Sequence, residues 1–155
     1  MDRLDRTPDG SRLLVLDYKS GSAGYYFGLD KDPLKRGKLL QLPIYALAAR
    51  QSCDNVSEVE AYYWFISEDQ DYARRGYIVD ESILVEFHQA IDVIVSGIAS
   101  GLFPARPGKA RQDTYENCSL CPYDRICPRL RARLWERKRS APQLKRYLEM
   151  AESDE

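Results

Sequence analysis

The stretch Leu13 to Gly21, L-L-V-L-D-Y-K-S-G, decides how the rest of the chain is read. A leucine- and valine-rich run bounded by turn residues is a strand signal. Alternate residues of a strand share a face. Val15, Asp17 and Lys19 therefore point one way, and Leu14, Leu16 and Tyr18 the other. An otherwise apolar strand thus ends with a carboxylate and an ammonium side by side. Two readings stand at this point: a solvent-facing ion pair of little energetic weight, or a chemical site.

Working outward, M-D-R-L-D-R (Met1 to Arg6) precedes a T-P-D-G-S turn, so the two runs predict an antiparallel hairpin. Asp2 then lies across from the Asp17 end of its partner. A strand whose carboxylate stands at position 2 leads us to expect a piece of a larger domain that lacks an upstream helical segment. After Gly21 comes a glycine- and aromatic-rich loop. Asp32-Pro33 reads as a helix cap and first turn. Helical periodicity predicts a helix over Leu34 to Arg50, with Pro43 bending or restarting it. Gln41 and Tyr45, four apart, share one face of it.

Val56 to Ile66 reads as a strand dense in aromatic and β-branched residues, with Gly76 to Val79 as a short partner. Ser82 to Ser100 is an amphipathic helix built on Ile83, Leu84, Phe87, Ile91, Ile94, Val95 and Ile98, capped by Ser82 and ended by Gly101. His88, the chain's single histidine, reads as a surface or packing residue. Phe103 to Gly108 is extended. Then N-C-S-L-C-P-Y-D-R-I-C-P gives Cys118-x2-Cys121-x5-Cys127, followed by a basic helix over Arg129 to Arg139 and a short helix around Gln143 to Ala151. Cys53 reads as a small buried residue.

Composition bounds the class. The chain has 155 residues, 44% hydrophobic and 30% charged, with a net charge of −1. These values fit one soluble globular domain, and nucleic-acid contact must come from a local patch. No apolar run approaches the roughly 20 residues of a membrane span, and we expect a cytoplasmic protein with no membrane contact. Three of the four cysteines crowd into ten residues, a pattern of metal or cluster binding rather than of disulfides.

Taken in order, M-D-R-L-D-R, D-Y-K-S-G, Q-L-P-I-Y and the cysteine triplet resemble the RecB-type nuclease domain of the PD-(D/E)XK superfamily, in the iron–sulfur subgroup that includes AddB-type subunits and CRISPR adaptation nucleases. The resemblance implies an α/β fold, a mixed central sheet flanked by helices. It implies one nuclease domain over 1–155, with a catalytic core at 1–108 and a cysteine-rich, basic region at 109–155. Carried over, Asp2, Asp17 and the Tyr18 carbonyl match the ligands of Mg²⁺ or Mn²⁺; Lys19 matches the catalytic lysine; Gln41 and Tyr45 match the helix beside it. Cys118, Cys121 and Cys127 match ligands of a [4Fe–4S] cluster held by the full-length protein, since the subgroup's fourth cysteine has no counterpart in this chain; a zinc site is the competing reading of the same cysteines. Arg129, Arg131 and Arg133 are the expected DNA-contacting residues.

The implied function is a metal-dependent DNA exonuclease, joined to a helicase domain or subunit and acting in double-strand break repair. A catalytically silent DNA-end-binding or scaffold domain and a stand-alone CRISPR adaptation-type exonuclease are the alternatives. The chemistry agrees with the first. Hard divalent cations take carboxylate and carbonyl oxygens, and a lysine on the same strand face can orient the attacking water.

Overall fold

Strand β2 (Arg12–Lys19) lies between β1 (Arg3–Arg6) and β3 (Glu58–Phe65), and β4 (Arg74–Ile78) completes a four-stranded sheet in the order β1-β2-β3-β4. This computed structural model describes residues 1–152. β1 runs antiparallel to β2, β2 parallel to β3, and β3 antiparallel to β4, so the central sheet is mixed as expected. A parallel pair needs a crossover, and helix α1 (Gln41–Ser52) lies within the one that joins β2 to β3. The chain divides into two compact units, Met1–Ile91 and the segment from Asp92 onward, with the division falling inside helix α2 (Glu81–Ala99).

The core of the first unit follows from strand alternation. Leu13 and Val15 of β2 and Val59, Ala61, Tyr63 and Phe65 of β3 are buried on one sheet face together with Leu42, Ala46 and Ala49 of α1. Ile83 and Leu84 of α2 join the same cluster. β4 must approach β3 closely: a Cβ on Gly76 would stand 2.0 Å from the Ala61 carbonyl oxygen, which only glycine avoids.

Helix boundaries differ from the periodicity reading at two places. The segment from Leu34 is not helical, because Lys35 and Arg36 take positive φ and turn the chain before Gly37. Asp32 instead closes that turn, its Oδ1 accepting from the Arg36 N–H at 3.1 Å. The helix begins at Gln41, which puts Pro43 in its first turn, where a missing N–H costs no internal bond. The cap of α2 is Asp80 rather than Ser82: Asp80 Oδ1 accepts from the Ile83 N–H at 3.0 Å and from the Ser82 hydroxyl at 2.7 Å. Gly101 does end α2, at φ +69°, with Leu102 N–H returning to the Gly97 carbonyl and Gly101 N–H to Ile98.

By length and composition alone, α2 is apolar enough to cross a membrane, which the sequence reading did not anticipate. Its first turns bury Ile83, Leu84, Phe87 and Ala90, whereas Val95 and Ile98 are exposed. In the second unit, β5 (Ala110–Arg111) and β6 (Thr114–Tyr115) form a small hairpin ahead of the cysteine loop. Helices α3 (Arg131–Lys138) and α4 (Lys145–Glu152) follow, with Trp135, Leu144 and Ala151 buried. Arg106 and Arg139 both pair with Glu152, at 3.1 and 3.0 Å.

Candidate active site

At the C-terminal end of β2 the core face stops being apolar. Asp17 follows Leu13 and Val15 on that face and is only 4% exposed. Its Oδ2 lies 2.5 Å from Lys19 Nζ, yet no aligned hydrogen bond reaches this buried oxygen. Burying a carboxylate carries a desolvation cost, which a fold repays only by pairing it. Here the pairing comes from β2 itself and from the start of α1.

Gln41, the first residue of α1, ties the set together. Its Nε2 donates to Asp17 Oδ1 at 3.3 Å and to the Tyr45 hydroxyl at 2.8 Å. Its Oε1 accepts from Lys19 Nζ at 3.3 Å. An amide is the side chain suited to this position, since it can donate to a carboxylate while accepting from an ammonium. Tyr45 stands one helical turn on, which is why the i, i+4 pair meets. The Met1 nitrogen stands 3.7 Å from Asp17 Oδ1.

Asp2 lies just beyond the last β1–β2 pair, Arg3↔Leu16. Its N–H donates to the Leu16 carbonyl at 3.0 Å, and its Oδ2 accepts from the Tyr18 N–H at 2.7 Å. Asp2 is thereby fastened to the same end of β2 that carries Asp17, on the β1 side. Two aspartates and a strand carbonyl are acceptor-only oxygens of the kind a hard divalent cation takes. Asp17 Oδ2 is buried and lacks an aligned donor, which leaves it lone pairs that a cation would take. The donor set therefore fits such a cation. Among the described residues, however, no group of three or more His, Cys, Asp or Glu converges to hold a metal on its own.

Tyr63 belongs to this site and was not foreseen. The parallel register pairs it with Asp17, its ring centroid is 5.1 Å from Lys19 Nζ, and it is 1% exposed. Its hydroxyl has no hydrogen-bond partner, and burial pushes the phenol well above its usual range. Tyr26, from the loop after Lys19, packs on it at 4.7 Å. Only the β2–β3 register reveals this contact.

The C-terminal residues are arranged differently. Cys118, Cys121 and Cys127 are free and half-buried, and among the described residues they do not converge as a metal-binding set. Three thiols in this arrangement do not fit a [4Fe–4S] cluster, which takes four. Arg131 is half-buried and turned to Asp124, which with the Cys118 thiol pushes its guanidinium above the usual range. It faces the cysteine loop, whereas Arg129 and Arg133 are exposed. Cys53 is half-buried at the end of α1 against the core, and His88 is exposed beside Phe87.

With this geometry in hand, comparison with known proteins is informative at one level. The family model of the PD-(D/E)XK nuclease superfamily matches residues 1–128. No curated protein matches the chain, and no solved structure does. The match covers most of the chain, which therefore belongs to the PD-(D/E)XK nuclease superfamily, and membership carries metal-dependent nuclease chemistry with it.

Proposed function

We propose that this PD-(D/E)XK protein is a deoxyribonuclease that degrades DNA from its ends, the exonuclease part of a helicase–nuclease that processes double-strand breaks. The observation that carries the reading is the buried Asp17, held between Lys19 and Gln41, at the tip of an apolar strand. A fold gains little stability from such a pair, so a chemical role is its better explanation.

In this reading Asp2, Asp17 and the Tyr18 carbonyl hold Mg²⁺ or Mn²⁺. When held there, such an ion would lower the pKa of its water and neutralise phosphate oxygens. Lys19 Nζ orients the attacking water and offsets the charge that builds on the phosphate. Gln41 fixes Lys19 and Asp17 relative to each other, and Tyr45 fixes the Gln41 amide. Arg129 and Arg133 contact the DNA backbone without reading sequence. Free thiols suit a reducing, cytoplasmic setting. The silent end-binding alternative predicts binding without turnover.

The test is the fate of end-labelled linear DNA against covalently closed circular DNA, with Mg²⁺ or Mn²⁺ present. Loss of label from the linear form while the circle survives supports the exonuclease reading. Cleavage of the circle overturns the end-dependent part, and binding without degradation of either overturns catalysis.

A further inference from the structure

We propose that Phe27 and Arg75 form a nucleotide subsite beside the reacting phosphate, in which the Phe27 ring takes an unpaired base and the Arg75 guanidinium takes a backbone phosphate. The inference rests on the nuclease reading above and gives that site its strand preference.

Phe27 is 59% exposed, yet the loop carrying it is firmly held. The neighbouring Tyr26 is clamped against Tyr63 at 4.7 Å and Phe65 at 5.2 Å. The Ala23 N–H donates to Gln70 Oε1 at 2.7 Å, and Lys35 Nζ donates to the Phe27 carbonyl at 2.6 Å. A fixed backbone thus holds an apolar plane out in water, so a partner that covers the ring gains its burial at little ordering cost.

The Arg75 guanidinium lies over that ring, 4.5 Å from its centroid. Its Nη1 donates to the Arg74 carbonyl, and its buried Nε has no partner. An aromatic plane joined to a guanidinium complements a nucleotide, which offers a π face and an anionic phosphate together.

Position supports the same occupant. The registers Asp17↔Tyr63 and Tyr63↔Arg75 set the three residues in one row across β2, β3 and β4. At about 4.8 Å per strand, Arg75 stands roughly 10 Å from Asp17. An adjacent nucleotide of an extended strand covers such a distance. A base within a duplex is stacked on both sides, so Phe27 selects an unpaired one. Stacking is tolerant of base identity, and the subsite therefore reads no sequence.

The experiment measures binding of a labelled single-stranded oligonucleotide by the full chain carrying Lys19→Ala, which keeps the strand uncut. The same strand is then scanned with single abasic positions. We expect one abasic position to raise Kd by about 5- to 100-fold. Adding Phe27→Ala should raise Kd comparably for the intact strand and make that abasic position silent, while Phe27→Trp restores both. Arg75→Gln should reduce the salt slope of binding by about one phosphate contact. An unchanged Kd in Phe27→Ala, or an abasic effect that persists in full there, overturns the subsite. Abasic discrimination by a protein whose parent degrades no DNA leaves the subsite standing and fails the nuclease reading. Degradation with silent Phe27 variants does the reverse.

Discussion

Asp17 and Asp92 both face a basic side chain, and the molecule treats them in opposite ways. Asp17 has 6% of its side chain exposed, and Lys19 beside it 27%. Asp92, in the second unit, pairs with Arg146, and both are more than half exposed. The surface pair keeps its water and contributes little. The buried one gives up hydration and is supported from two elements, with Gln41 bonding both partners. The units differ likewise in their apolar residues. Val15, Tyr63 and Phe65 disappear into the sheet core, whereas Leu120, Tyr123, Ile126 and Leu130 around the cysteines stay exposed. Packing in the first unit fixes side chains closely enough for chemistry, and the cysteine loop has no equivalent support.

The contrast is sharpened most by Gln41→Ala, which removes the side chain that binds Lys19 and Asp17 together. It should lower kcat on DNA by roughly 10²-fold while the protein stays folded, because positioning rather than packing is lost. Steady-state kinetics beside a urea titration would check both parts. An unchanged kcat would make Asp17 and Lys19 a structural pair like Asp92 and Arg146.

Tyr63 offers a smaller effect of opposite kinds. Tyr63→Phe deletes a buried hydroxyl without a partner and should leave stability unchanged or raise it by about 1 kcal/mol. Tyr63→Leu loses the ring beside Lys19, and activity should fall about 3- to 30-fold. Chemical denaturation and kinetics on both variants separate the ring from the hydroxyl.

Least is expected of Arg146→Ala. Arg146 holds the Asp92 carboxyl below the ordinary carboxylate range, first by hydrogen bonding and then by charge. A carboxyl depressed in the folded state contributes stability that is present above its unfolded pKa and lost as pH falls through the folded one. The variant should return Asp92 to the ordinary range in an NMR titration, and the midpoint of unfolding at neutral pH should barely move.

Much of this site was legible in the sequence because it is local. Asp17 and Lys19 share a face by strand alternation alone, and Gln41 and Tyr45 meet by helical spacing. The start of α1 was not legible, because the positive φ of Lys35 and Arg36 leaves no mark in apolar periodicity. Asp80 takes the capping role that Ser82 also suited, a choice made by geometry one turn ahead of the first buried residue. Tyr63 and Arg75 were hidden for a different reason. They reach the site through strand register, a long-range property that no short window contains.

The most direct measurement compares divalent-dependent degradation of labelled linear DNA by the parent chain and by its Lys19→Ala variant. The account predicts degradation by the parent and a loss on the order of 10²- to 10⁴-fold in the variant, with DNA binding retained. Degradation by the variant at the parent's rate would contradict it and remove Lys19 from the chemistry.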